Sequence, residues 1–97
     1  MKLRFTPAAE ADLKALARNA GLRKRLKSVQ KALGQLELSV RHPSLQTHKY
    51  QSLKGPHGED VFEAYAENKT PTAYRIFFFY DSKERGVIWI LAITPHP

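Results

Sequence analysis

The spacing of hydrophobic and polar residues changes near the middle of the chain. In the first half, apolar side chains recur at alternating intervals of four and three residues, most clearly at Leu22, Leu26, Val29, Leu33 and Leu36. In the second half they form short runs that alternate with polar residues and are rich in aromatic and β-branched side chains. The first spacing is typical of amphipathic helices and the second of strands. The pattern therefore predicts helices first and a sheet afterwards.

The predicted elements follow the order β-α-α-β-β-β-β. A short strand over 2–5 precedes a helical hairpin over 7–40, with Thr6 as the N-cap and Pro7 at the first helical position. Further strands are predicted over 48–54, 60–67, 73–80 and 87–94. The last strand is apolar on both faces, so it should lie inside the sheet. We expect a single α+β domain over 1–97, with the two helices packed on one face of a mostly antiparallel sheet of about five strands.

One predicted strand carries a charge in an apolar run. In TAYRIFFFYD (72–81), Arg75 lies just before three phenylalanines, although a guanidinium is always charged and is rarely buried without a partner. Alternation along the strand puts Arg75 on the opposite face from Ile76 and Phe78. If Ile76 and Phe78 pack on the helices, Arg75 faces the open side of the sheet.

Two interpretations of Arg75 are open at this point. It is either a binding group on the open face or the partner of Glu63 or Glu67 in a structural ion pair across the hairpin. The known catalytic templates give no further guidance, because the chain has no Ser-His-Asp pattern, P-loop or G-x-G-x-x-G. The four histidines (42, 48, 57 and 96) share no ligand spacing, so we predict no metal and no cofactor.

The charge of the chain suggests an anionic partner. Sixteen Lys and Arg against nine Asp and Glu give a net charge of +7, and there are no cysteines for disulfides or thiolate chemistry. A small domain this basic usually binds RNA, DNA, an anionic membrane surface or an acidic protein. No run approaches the roughly 20 apolar residues of a membrane span, and we expect a cytoplasmic protein with no membrane contact. The candidate nucleic-acid-binding residues are Arg23, Lys24, Arg25, Lys27, Lys31 and Lys49.

Several segments together resemble the RelE/ParE superfamily of small bacterial toxins. They are RFTPAAEADL, the leucine-spaced hairpin, HPSLQTHKYQSLKG, DVFEAY, AYRIFFFY and VIWILAITPHP, and they cover almost the whole chain. The resemblance implies two helices against a curved antiparallel sheet. Many members are ribosome-dependent mRNA endonucleases that need no metal, and others poison DNA gyrase. Nearly all form a complex with a neutralising antitoxin, here expected to be acidic.

The resemblance also implies roles for five residues. Arg75 matches the arginine that contacts the scissile phosphate, and Lys54 lies near basic residues of the ribonuclease site. His96 lies where some members have a catalytic histidine or lysine, and Glu63 matches a glutamate of the preceding strand. Many ribonuclease members have an arginine where this chain has Tyr65, which would instead position a base. The alternatives are a non-catalytic gyrase inhibitor and an inactive homologue that binds only an acidic antitoxin.

Overall fold

Two helices and five strands follow one another in the predicted order. The computed structural model describes residues 1–68 and 72–96. The helices are α1 (Pro7–Arg18) and α2 (Arg23–Leu38), and the strands are β1 (Lys2–Phe5), β2 (His48–Lys54), β3 (Asp60–Tyr65), β4 (Tyr74–Tyr80) and β5 (Val87–Pro95). The predicted α+β class is confirmed. None of the helices in the described residues is long and apolar enough to cross a membrane.

The strands form one sheet in the order β1-β5-β4-β3-β2. β1 pairs with β5 in parallel, and the other three pairings are antiparallel. β5 lies inside the sheet, as its apolar character on both faces predicts. β2 is an edge strand, so one side of its backbone has no partner strand within the described chain. This edge separates the face of the sheet that packs on the helices from the opposite face.

The two faces of the sheet bury different sets of side chains. Ile76 and Phe78 of β4 join the main core formed with α1 and α2. Phe77 and Phe79 join a smaller cluster on the other face, where Tyr50 and Trp89 pack against them. The expected alternation along β4 is therefore confirmed, and it turns the side chain of Arg75 away from the helices.

The start of α1 is fastened to an irregularity in β5. Leu91 lies between two residues of β5 that pair with consecutive residues of β4, so it forms a bulge. The Thr6 hydroxyl caps the helix by accepting a hydrogen bond from Ala9 N at 3.1 Å, and it donates one to the Leu91 carbonyl at 3.0 Å. A carboxylate oxygen of Asp12 accepts a hydrogen bond from Ile93 N at 2.9 Å. Both bonds to β5 lie beyond Ile90, where the pairing of β1 with β5 ends, and they give partners to backbone groups of β5.

The predicted helical hairpin ends earlier than expected. Its second helix ends at Leu38, and Ser39 adopts an extended backbone while its N–H still bonds Gln35 O at 2.8 Å. Val40, predicted to be helical, instead packs against the core from the segment that follows. The remaining predicted strands agree with the structure to within two residues.

Replacing Asp12 tests the attachment of α1 to β5. We expect Asp12→Ala to lower the free energy of unfolding by about 1 to 3 kcal/mol, because Ile93 N loses its acceptor in a partly buried position. Asp12→Asn retains an acceptor oxygen and should lose less. Lys14→Ala, an exposed position on the same helix, should change stability by less than about 0.5 kcal/mol. Urea unfolding measures all three, and equal losses for Asp12→Ala and Lys14→Ala would contradict this role.

Candidate active site

A buried carboxylate lies at the centre of the open face of the sheet. Glu63 of β3 is only 1% exposed. One of its oxygens is 2.8 Å from His48 Nε2 and the other is 2.8 Å from His96 Nδ1. The second oxygen is also 3.8 Å from Arg75 Nε. The carboxylate therefore faces three basic side chains, which offset the cost of burying its charge.

Arg75 is held in place by carbonyl oxygens and by an aromatic ring. Its Nη1 donates to Glu67 O at 2.6 Å and to Tyr74 O at 3.3 Å. Its guanidinium carbon lies 3.8 Å from the centroid of the Tyr65 ring. The residue is 8% exposed, and its Nε is buried with no hydrogen-bond partner within the described residues. Incomplete satisfaction of a buried donor is uncommon in native proteins and calls for a specific explanation, such as a functional role.

Both open interpretations of Arg75 have some support in this geometry. The guanidinium does lie beside Glu63, although 3.8 Å is an ion-pair distance and not a hydrogen bond. Its contact with Glu67 is made through the main-chain carbonyl and not through the carboxylate. Arg75 is thus neither a free surface cation nor a member of a fully satisfied bidentate pair.

The ring of Tyr65 stacks against the guanidinium of Arg75. Register places it directly opposite Arg75 on the neighbouring strand. One face of its ring carries the guanidinium, and His48 meets the ring edge-on, with the two centroids 5.8 Å apart. A cation stacked on a tyrosine face is attracted by the negative charge density of the ring. Tyr65 therefore binds the cation of Arg75 and adds no positive charge of its own. The guanidinium of Arg75 already occupies this face of its ring.

His96 reaches the site from the end of β5. Its backbone N–H bonds Ala73 O at 2.8 Å, which extends the pairing of β4 and β5 by one step. The imidazole is about half exposed (47%), and Nδ1 bonds Glu63. Because an ionised carboxylate only accepts hydrogen bonds, Nδ1 carries the hydrogen. Nε2, which has no partner within the described residues, is then the nitrogen that can exchange a proton with a ligand.

His48 also belongs to this cluster, although it is not among the site residues predicted from the sequence. Its Nε2 bonds Glu63, and its Nδ1 lies 2.9 Å from Gln46 O. The ring therefore lies between a carboxylate and a carbonyl, which are both hydrogen-bond acceptors. The signal that finds it is strand register, since His48 stands directly opposite Glu63. That register depends on the hairpin between β2 and β3 and is not readable from alternation alone.

Lys54 and Lys49 lie outside this cluster. Lys54 Nζ is 2.8 Å from one oxygen of Asp60, and Lys49 Nζ is 3.3 Å from the other. Hydrogen bonds from Lys54 and then Lys49 hold the pKa of Asp60 below its ordinary value. Lys54 stands at the opposite end of β2 from His48. The structure therefore does not bring Lys54 together with Glu63.

The basic face of α2 divides into exposed and internally bonded residues. Arg23, Lys24, Lys27 and Lys31 are exposed. Arg25 is different, because its Nη1 donates to Thr72 O at 2.8 Å and lies 3.5 Å from a carboxylate oxygen of Glu67. The same oxygen accepts a hydrogen bond from Tyr74 N at 3.0 Å. Since the carbonyl of Glu67 binds Arg75, Arg25 connects α2 to the residue that positions the catalytic candidate.

The assembled groups suit an anionic ligand. Arg75 is always charged and lies beside two histidines, and the net charge of +7 of the chain attracts an anion. His96 adds a nitrogen able to take up or release a proton. In the described residues no group of three or more histidine or acidic side chains is arranged to hold a metal ion. Phosphate binding combined with proton transfer is the chemistry that this set of side chains supports.

Comparison with known proteins adds no family assignment. No protein-family model matches the chain, and a search of curated proteins found no match.

Arg25 provides a test of the connection between α2 and the site. We expect Arg25→Ala to destabilise the protein by about 1 to 3 kcal/mol, because the Thr72 carbonyl and the largely buried Glu67 carboxylate lose a charged donor. Lys24→Ala, on the exposed part of the same helix, should cost less than about 0.5 kcal/mol. Urea unfolding compares the two. If Arg25→Ala behaves like Lys24→Ala, Arg25 is an ordinary surface cation and the connection has no energetic role.

Proposed function

We propose that the protein is a metal-independent endoribonuclease of the RelE/ParE type, a toxin that cleaves mRNA on the ribosome in the cytoplasm. The observation that supports this most strongly is the meeting of Glu63, Arg75, His48 and His96 on one face of the sheet. They supply positive charge beside a nitrogen available for proton transfer. Cleavage of RNA by its own ribose hydroxyl needs these two functions.

In the proposed reaction, the 2′ oxygen of a ribose attacks the adjacent phosphorus. Nε2 of His96 takes the proton of the 2′ hydroxyl as the new P–O bond forms, while Glu63 stabilises the resulting imidazolium. The bond from phosphorus to the 5′ oxygen then breaks, and the leaving oxygen takes a proton from solvent, to which His96 returns the proton that it took. The products are a 2′,3′-cyclic phosphate and a 5′ hydroxyl, so atoms and charge balance without an added reactant.

Arg75 stabilises the charge that gathers on the phosphate during this reaction. Its carbonyl bonds and its stacking on Tyr65 fix the guanidinium before substrate arrives. Donors that are already oriented need no reorganisation at the moment of reaction, which is the main source of electrostatic catalysis. His48 contributes through Glu63, because its bond to one oxygen keeps the carboxylate directed at His96 with the other.

The partners follow from the distribution of charge. The net charge of +7 and the exposed cations of α2 favour contact with ribosomal RNA and mRNA. An acidic antitoxin that covers the same cations in a toxin–antitoxin complex would block this contact. Arg25 is excepted from this binding set, because its guanidinium is engaged within the protein.

A non-catalytic inhibitor of gyrase is the second candidate, and an inactive homologue that binds only its antitoxin is a third. The low exposure of the Arg75 side chain (10%) favours them, because a phosphate reaches a buried guanidinium less easily. A supercoiling assay with purified protein separates the first two. A ribonuclease leaves gyrase activity unchanged, whereas an inhibitor of gyrase leaves RNA intact.

Substitution of Arg75 and His96 tests the catalytic proposal. On induction in cells, we expect the unmodified protein to arrest growth and cleave mRNA. Arg75→Ala should reduce cleavage by about 10²- to 10³-fold through loss of electrostatic stabilisation. His96→Ala should reduce it by about 10²- to 10⁴-fold through loss of proton transfer. Sequencing of mRNA ends measures the effect.

The matched control is Arg85→Ala, which removes an exposed arginine from the turn before β5 and should cleave normally. Thermal unfolding checks that each variant is folded, which matters most for the buried Arg75. His96 is half exposed, so its replacement keeps the test valid if Arg75→Ala fails to fold. Normal cleavage by a folded His96→Ala variant and a folded Arg75→Ala variant would refute the assignment.

A further inference from the structure

A second surface with binding character lies on the other side of the β2 edge. It is an open groove of about 560 Å³ between the segment 40–47 and the sheet. The residues that define its chemistry are Arg41, His42, Lys49, Phe62 and Tyr80, and we refer to it as the Tyr80 groove. Phe62 belongs to the helix-side core and Tyr80 contacts it, so the floor of the groove lies on the opposite face from Arg75, and His48 of the candidate active site lines the groove at the β2 edge.

The floor of the Tyr80 groove is aromatic. Tyr80 is 41% exposed, which makes it one of only a few large hydrophobic side chains exposed within the described residues. Its ring meets Phe62 edge-on with centroids 5.4 Å apart, and Phe62 stacks on the buried Phe78. The exposed ring is therefore held by the core beneath it. A rigid aromatic surface of this kind accepts a nucleobase by stacking, whichever base is presented.

The rim of the groove is basic. None of the described residues that line it carries a carboxylate, and Arg41 is exposed with no partner for its guanidinium in the described chain. Lys49 pairs with Asp60, but Lys54 shares that carboxylate, so the three side chains retain one positive charge. Cations beside an exposed aromatic ring are the combination that binds the backbone and bases of single-stranded nucleic acid.

The wall of the groove is formed before any ligand binds. The Thr47 hydroxyl donates to Val40 O at 2.7 Å, which closes the segment 40–47 into a compact loop. Leu45 at its centre is fully buried in the main core. His42 Nδ1 accepts a hydrogen bond from Ser44 N at 3.3 Å, so its Nε2 carries the donor hydrogen. A preformed wall lowers the entropy that binding must overcome.

We infer that the Tyr80 groove binds single-stranded RNA, with a base against Tyr80 and backbone phosphates at Arg41 and Lys49. The identity of the polymer rests on the proposed function, and the binding chemistry rests on the groove alone. His48 bonds Glu63 and also lines the groove, next to Lys49. An RNA strand that passes around the open β2 edge therefore contacts both surfaces. The groove holds RNA beside the cleavage site without taking part in the cleavage.

The test uses the full chain and a short, labelled single-stranded RNA with 2′-O-methyl riboses, which cannot be cleaved by its own hydroxyl. We expect Tyr80→Leu to weaken binding by about 5- to 150-fold, the loss of one stacked base. Tyr80→Phe keeps the ring and should bind normally. Arg41→Ala should weaken binding and reduce the slope of log affinity against log salt by about one. Fluorescence anisotropy across a salt series measures each change.

One control variant and a parallel cleavage assay separate this inference from the proposed function. Arg85→Ala removes another exposed arginine, one that does not line the groove, and should bind as the unmodified protein does. If folded Tyr80→Leu binds the uncleavable RNA as tightly as Arg85→Ala while the unmodified protein cleaves mRNA, the groove inference fails and the cleavage proposal survives. If RNA is never cleaved but Tyr80→Leu still weakens binding, the cleavage proposal fails and the groove inference stands.

Two further outcomes would overturn the inference. Equal losses for Arg41→Ala and Arg85→Ala, with no loss for folded Tyr80→Leu, would show that binding depends only on overall charge. Binding of a polyglutamate peptide with the same dependence on Tyr80, and no dependence for RNA, would assign the groove to an acidic protein. If Tyr80→Leu fails to fold, the comparison of Arg41→Glu with Arg85→Glu decides, because both reverse a charge at an exposed position and only Arg41 lines the groove.

Discussion

The structure depends on one buried carboxylate. Removing Glu63 from water costs several kcal/mol unless nearby cations and donors compensate. Its three basic partners come from three places: His48 from β2, Arg75 from β4 and His96 after β5. The strand order β5-β4-β3-β2 brings all three to the face of β3 that carries Glu63. The requirement to neutralise one charge thus links the sheet to the candidate active site.

A second group of residues determines how Arg75 is presented. Tyr65 stacks under the guanidinium, and the carbonyl of Glu67 binds its Nη1. Arg25 fastens Glu67 to α2. Tyr65, which occupies the position where a second arginine is expected, therefore stabilises Arg75 by stacking on its guanidinium. The other basic groups at the site are His96 and His48, and the two ring nitrogens of His48 both face acceptors.

The sequence predicts the fold well because burial has a local period. The spacing of leucines gives α2, and alternation puts Arg75 on the face opposite Phe78, as the structure shows. Contacts between strands are less predictable because register depends on turn geometry and bulges. His48 meets Glu63 for this reason, and Lys54 instead pairs with Asp60 across the short β2–β3 turn. The engagement of Arg25 with Thr72 likewise requires the tertiary structure.

Under the proposed function, this cluster cleaves RNA by activating a ribose hydroxyl. The chemical form of the RNA ends tests this most directly. Mass spectrometry of the products of translated mRNA should find 2′,3′-cyclic phosphates, or the 3′ phosphates derived from them, together with 5′ hydroxyls. Finding 3′ hydroxyls with 5′ phosphates would contradict this mechanism. Those ends form when water attacks the phosphorus and displaces the 3′ oxygen. Intact mRNA alongside growth arrest would contradict it equally.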